Sequence, residues 1–330
     1  MSDRLQRSLF PSGVQPLVVS YGMGVDSTAL LVGLARRRIR PDLILFADTG
    51  GEKDETYAYR EVMDAFLKEH GFPTVTVVRY VPTDFKHWPP YYTLEQNCLT
   101  NGTLPSLAFG SGSCSQKWKA APQNGFVANW LPAIECWAAG GHVRKAIGFD
   151  CSPADIRRRH HAAALEDERY DYWYPLQEWK WDRAECERQI RTAGLPVPPK
   201  SSCFFCPAMK PCEVDALPRE KLRRIVIMEA RAKPRLKKIQ GLWGNGCKGT
   251  RGAVARPGTM TEYIRQRDLL DPVEIVRLCS EVPVDLIDRN QQFASGRSVQ
   301  SWDEFFAELA GAEGVVPAAA QAATQHKDSA

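Results

Sequence analysis

Leu17-Val18-Val19-Ser20-Tyr21-Gly22-Met23-Gly24-Val25-Asp26-Ser27 is the stretch whose reading decides the fold. Its first five residues are apolar and rich in β-branching, which reads as a short buried strand. From Ser27 to Arg38 the pattern turns helical: Leu30, Leu31 and Leu34 share one face, and Pro41 stands just beyond the basic end. A glycine turn between a buried strand and a helix is an anion site, because backbone N–H groups and the helix N-terminus face the same ligand. Gly22 and Gly24 let the backbone approach phosphate closely. Asp26 and Ser27 suit the cap and first turn, and Ser27 can donate a hydrogen bond. The Lys-Ser/Thr ending of a Walker loop is missing, and so is the third glycine of a dinucleotide fingerprint.

Working outward, Leu43–Ala47 reads as a second buried strand, Glu55–His70 as a helix closed by Gly71, and Thr74–Tyr80 as a third strand. Val143–Phe149 is a fourth strand, and Asp182–Ala193 a helix stopped by Gly194 and Pro196. Strands alternating with helices predict an α/β fold with a doubly wound, mostly parallel sheet. Residues 82–132 hold many Pro, Gly, Asn and aromatic residues without a sustained period, as an active-site segment does. The expected organisation is a flexible lead-in over 1–16 and a nucleotide-binding domain over 17–200. A cysteine-containing, basic, mainly helical region follows over 201–310, then an alanine-rich frayed tail over 311–330.

The chain has 330 residues, 44% hydrophobic and 25% charged, which is ordinary globular composition. Its polar start lacks an apolar signal core, and no stretch is apolar for the length of a membrane span. The expectation is a soluble cytoplasmic protein without a membrane partner. In such a compartment ten cysteines read as metal or cluster ligands and unpaired thiols rather than a disulfide scaffold. Cys203-Phe204-Phe205-Cys206-Pro207 is a C-x2-C followed by proline, with Cys212 six residues on. That pattern occurs at iron–sulfur sites and also at zinc sites. Far upstream stands Ser113-Cys114-Ser115-Gln116-Lys117-Trp118-Lys119. The remaining cysteines, Cys98 among them, are scattered, and a buried free thiol is the default for each.

Ser20-x-Gly22-x-Gly24-x-Asp26-Ser27 resembles the PP-loop signature of ATP pyrophosphatases, slightly lengthened as in the branch related to phosphoadenosine-phosphosulfate (PAPS) reductase. Asp48-Thr49-Gly50-Gly51-Glu52 with Glu55-Thr56 resembles a second segment of that branch, and the Cys114–Lys119 segment resembles the cysteine-lysine segment of iron–sulfur sulfonucleotide reductases. The resemblance covers roughly residues 17 to 230. It implies that ATP lies on Ser20, Tyr21, Gly22, Met23, Gly24, Asp26 and Ser27, with Thr49 and Gly50 also at the cofactor, and that Asp48 holds the ribose or Mg2+. Lys117 and Lys119 would reach the triphosphate or the cluster, with Asp26, Ser27 and Lys117 catalytic. It further implies a [4Fe–4S] cluster on Cys114, Cys203 and Cys206, with Cys212 as fourth ligand or, if Cys212 does not bind, one open iron that could carry a sulfide; Zn2+ and unliganded thiols are the alternatives. Two departures matter: Ser113 replaces the first cysteine of the family's pair, and Phe149 replaces an arginine, which leaves Arg157 in the Arg157–Arg159 run as the phosphate contact.

Reductases of this branch carry a catalytic cysteine in a C-terminal Glu-Cys-Gly, absent here, and tend to lose the Asp-Ser pair, which this chain keeps. Both facts point to ATP cleavage into AMP and pyrophosphate with sulfur transfer, similar to the sulfur-inserting enzymes of DNA phosphorothioation. The partners implied are DNA or tRNA, and a cysteine desulfurase or other sulfur donor. The net charge is only +4, so a nucleic-acid partner rests on local charge. From Arg219 to Arg267 fourteen lysines and arginines face three glutamates, a pattern that fits either a phosphate-backbone footprint or a solvated helix face. Trp243 in its glycine turn fits base stacking or a packing anchor. Two further readings stay open: a sulfonucleotide reductase-like enzyme on a small molecule, and a non-catalytic nucleotide- or nucleic-acid-binding module.

Overall fold

The structure is a computed structural model that describes residues 15–163, 167–249, 254–290, 292 and 299–312. Most of the expected lead-in, most of the expected tail, and Arg251 of the basic run lie outside the described residues.

The strands in chain order are β1 (Leu17–Ser20), β2 (Leu43–Ala47), β3 (Val75–Val78), β4 (His87–Trp88), β5 (Val143–Ile147), β6 (Tyr170–Trp173) and β7 (Ile287–Asp288). Five form one parallel sheet in the order β3-β2-β1-β5-β6, and β4 pairs with β7 in a separate antiparallel ribbon. In register, Val19 lies beside Ile44 on one side and Ala146 on the other. Alternate residues serve opposite faces, as the pleat requires. Leu17, Val19, Ile44 and Phe46 enter one buried cluster, and Val18, Leu43, Leu45 and Ala47 another. The first cluster is covered by helices α1 (Val25–Arg36) and α2 (Asp54–Glu69) with the helix Arg183–Thr192, the second by Ala121–Ala128 and Leu131–Ala138. Both faces are thus covered, which explains why β1 and β2 are continuously apolar. The fold is a doubly wound α/β sheet.

The sequence did not foretell β6. Tyr170-Asp171-Tyr172-Trp173 is a short edge strand with an exposed charge at its second position, so it carries no clean apolar run.

A third buried cluster builds the other half of the molecule around the helix Arg219–Ala232. That helix buries Leu222, Ile225, Val226, Ile227 and Met228 against α3 (Leu94–Thr100), Met260–Gln266 and Pro272–Glu281. This core takes in Tyr91, Leu94, Cys98 and Trp118 from the irregular segment as well as the chain after 200, so residues 91–118 pack with the C-terminal region. Arg224 on the central helix makes a bidentate ion pair with the fully buried Glu95 of α3, at 2.8 and 2.6 Å. Among the described residues no helix is long and apolar enough to cross a membrane.

Candidate functional site

The chain runs outward from β1 through β2 to β3, then returns to place β5 on the other side of β1. The carboxyl ends of β1 and β5 therefore flank the point where strand order reverses, the usual ligand crevice of such sheets. The turn Tyr21–Gly24 leaves β1 there. Tyr21 and Met23 are anchored in the core, each 1% exposed, while Met23 holds a left-handed φ of 56° that only tight packing maintains. Gly24 caps α1 without a side-chain hydrogen bond, so no side chain competes for the first-turn N–H groups. The Ser27 hydroxyl closes the turn, accepting from the Gly22 N–H at 3.1 Å and reaching the Gly24 carbonyl at 3.2 Å. Ser20 donates to Gln123 at 2.7 Å. Opposite, Gly148 after β5 lies so near α1 that a Cβ there would meet the Ser27 backbone at 3.0 Å.

Three carboxylates converge at this crevice. Asp26, Asp150 and Asp155 each place an oxygen within 4.8 Å of the others. Burial pushes the Asp26 carboxyl up to about 6 against the pull of Arg183, whose guanidinium lies 3.0 Å away. Asp155 is further held by Arg158 at 2.7 Å. A set of hard oxygen donors suits a magnesium ion. Asp48, which the resemblance places on the ribose or magnesium, is engaged otherwise. It accepts from the Tyr57 hydroxyl at 2.7 Å, the Gly50 N–H at 2.8 Å and both Arg79 nitrogens at 3.0 and 2.7 Å. Burial alone would raise its carboxyl, but those donors hold it below the usual carboxylate range. Its oxygens fasten the second turn. Arg157 is exposed on the helix Pro153–Ala163 that begins just after Asp150.

The cysteine loop packs directly against both turns. A Cβ at Gly24 would stand 2.8 Å from Ser201 Oγ, and one at Gly51 would stand 2.7 Å from the Phe205 ring. Glu52 bridges Cys203 in antiparallel fashion, the Phe204 N–H donates to the Gly51 carbonyl, and Thr49 Oγ1 lies 3.2 Å from Cys203 Sγ. Lys119 neutralises the buried Glu52 at 2.7 Å. It sits in a π-helical turn, Gln116–Ala120, a deformation often found at functional sites. Burial lowers the tendency of Lys119 to hold its proton, but Glu52 and the neighbouring thiols outweigh it and the ammonium is reinforced. Lys117, in the same turn, is exposed with Nζ 4.9 Å above the Tyr80 ring.

The cysteines divide. Cys203 is buried and its thiol is pushed up to about 12, chiefly by burial and against Lys119 and Thr49; burial also raises Cys206. Cys114 packs against the same core as Cys203 and Cys206, and its charge acts on Cys206. Cys212 is exposed on the short helix Pro211–Asp215, which packs on Met260–Gln266. Cys98, on α3, is buried at 1% exposure. Burial raises the Cys98 thiol strongly, and Cys203 and Cys114 are among the charges that act on it. No pattern in the sequence joins Cys98 to Cys203, 105 residues away; only α3 docking on Thr49 does so. One tetrahedral zinc ion draws its thiolates to about 3.8 Å of each other. Among the described residues no three cysteine sulfurs lie within 4.8 Å of one another. Thiol donors of this kind suit either an iron–sulfur cluster or zinc.

The basic run is largely spent on the fold. Arg219 and Arg223 pair with Glu274, Arg265 with Glu262, and Arg267 with Asp215. Arg231 is buried, donating to the Leu99 and Pro283 carbonyls, and Arg256 donates to the Met209 carbonyl. Trp243 is a packing anchor, 5% exposed, with its indole N–H on the Met209 carbonyl and Arg256 over its ring. Lys233, Lys237, Lys238 and Lys248 are exposed and take no part in the ion pairs among the described residues.

No family model matches the chain, and no curated protein matches it.

Proposed function

We propose that the protein is an ATP pyrophosphatase of the PP-loop kind that activates an acceptor oxygen for sulfur transfer beside an iron–sulfur site. The observation that carries this reading is the shared wall between a glycine turn open for phosphate and a thiol-bearing loop, made by Gly24 against Ser201 and Glu52 against Cys203. ATP lies with its phosphates over Gly22–Ser27, where the α1 N–H groups and dipole face the negative charge. Asp26, Asp150 and Asp155 would hold magnesium, which when bound offsets charge on the departing pyrophosphate. The acceptor oxygen attacks the α-phosphorus, the bond to the β-bridging oxygen breaks, and pyrophosphate leaves with that electron pair. A persulfide delivered by a cysteine desulfurase then displaces AMP, and attack of a second thiol cleaves its S–S bond, leaving sulfur on the acceptor and a disulfide on the donor. The cluster, when bound, supplies redox-active iron next to that step. Lys119 keeps the Glu52 wall neutral, and Lys117 lies on the open side of the same turn.

The acceptor in this reading is nucleic acid, held by Lys233, Lys237, Lys238 and Lys248. A second reading, a small sulfonucleotide-like acceptor, is favoured by how many arginines of the run are tied into the fold. Incubation with ATP and magnesium decides the first point: AMP and pyrophosphate should form, and Asp26→Ala or Ser27→Ala should abolish them. Release of ADP and phosphate would overturn the proposal.

A further inference from the structure

Resting on the cluster reading above, we infer that Cys98 is the fourth cysteine ligand of the iron–sulfur site, in the position expected of Cys212. Thr49 fixes the geometry from both sides. Its carbonyl accepts the Leu94 N–H at 2.9 Å, which pins the first turn of α3, and its hydroxyl lies 3.2 Å from Cys203 Sγ. Cys98 stands four residues after Leu94, one helical turn along the same face. Leu94, Cys98 and Cys114 line one open cavity of about 260 Å³ together with Leu104, Phe109 and Trp118. Cys98 and Cys203 belong to one buried cluster, with Cys114 and Cys206 packed against it. The Cys206 N–H donates to the Cys203 carbonyl at 3.0 Å, so the two ends of the C-x2-C stay on one tight turn.

Cys212 lacks this setting. It is exposed, and the neighbouring Glu213 is drawn to Lys53 and Lys200. Ser113, where the family's paired cysteine would stand, is exposed as well. Cys98 thus supplies from the preceding helix the thiol that Ser113 lacks. Four thiolates close the coordination of all four irons, so transferred sulfur comes from a separate donor and not from a sulfide on an open iron.

The test uses full-length protein purified and reconstituted without oxygen, with iron and sulfide assayed per chain. Unmutated protein should carry about four of each. Cys98→Ala should lose most of both while keeping its far-ultraviolet circular dichroism, and Cys212→Ser should keep the full content. Cys212 is exposed, so this second variant leaves the fold undisturbed and decides the matter even if Cys98→Ala does not fold. Full iron in folded Cys98→Ala, or iron loss in Cys212→Ser, would overturn the inference and leave the cluster reading standing. Unmutated protein that takes up no iron would remove the cluster reading, and this inference with it.

Discussion

Glu52 and Cys203 face each other across an antiparallel bridge, and Lys119 closes on Glu52 from the third side. A carboxylate at the end of one turn, a thiol at the start of another and an ammonium from a π-helical turn therefore share one buried spot. Because Glu52 is 2% exposed, its charge needs that ammonium. Lys119→Met should destabilise the protein by about 3–5 kcal/mol in urea unfolding. Glu52→Gln in the same chain should recover part of the loss. If the single variant unfolds at the midpoint of the unmutated protein, the pair is not a structural element.

The contact between Gly24 and Ser201 gives a second test. A methyl at Gly24 would lie 2.8 Å from Ser201 Oγ, so Gly24→Ala pushes the cysteine loop off the phosphate turn. Overpacking of this kind costs about 1–3 kcal/mol. AMP formation should fall, and adding Ser201→Gly should restore it by making room. Equal loss in the single and double variants would show that the two loops do not act together.

Arg224 holds α3 onto the central helix through Glu95, which is buried. Removing one member of a buried pair strands the other charge. Arg224→Ala should therefore cost about 3–5 kcal/mol, read as a lowered melting temperature. Since α3 carries Cys98, iron content should fall with it. A melting temperature within a degree of the unmutated protein would contradict this.

Lys145 sits in β5 with its ammonium on Asn124 at 2.6 Å, and burial lowers its pKa to about 8 against the opposing pull of Asp167. The folded protein then binds fewer protons than the unfolded chain between about pH 8 and the ordinary lysine value. Stability from this group rises with pH across that window, and its penalty is complete below it. Lys145→Met should raise stability at pH 7 by on the order of 1–3 kcal/mol, net of the lost hydrogen bond. The gain should shrink as the pH climbs from 8 to 10. A gain independent of pH would assign the effect to packing alone.

The acceptor is tested with the exposed lysines. Replacing Lys237, Lys238 and Lys248 by Gln should weaken binding of DNA or tRNA and flatten the log–log salt dependence by roughly 0.7–0.9 for each phosphate no longer neutralised. AMP formation without acceptor should be unchanged. Arg231 is unsuited to this test, because its guanidinium is buried on backbone carbonyls and its loss would unfold rather than unbind. If unmutated protein binds no nucleic acid at low salt, the small-molecule acceptor is preferred.

The half built on the parallel sheet was legible because its signals are local. Strand β1, the glycine turn and α1 follow one another within twenty residues, each stage marked by periodicity or by glycine. The expected second turn at Asp48–Glu52 also stands at the end of β2, though Asp48 serves the turn itself. The excess of arginine and lysine was visible, but not its use, since a sequence does not tell Arg224 on Glu95 from an arginine facing solvent.

What the sequence determined by itself is the parallel sheet with helices on both faces, the glycine turn between β1 and α1 and the C-x2-C loop, because each depends on residues within a few positions of one another. What only the tertiary structure decided is which distant groups meet. Asp26 joins Asp150 and Asp155 because β5 returns beside β1, and α3 docks beside the cysteine loop because Thr49 holds the Leu94 N–H with its carbonyl and lies 3.2 Å from the Cys203 thiol with its hydroxyl. Such pairings are set by the order in which strands and helices pack, a long-range outcome of burying three apolar clusters at once, and no local spacing encodes them.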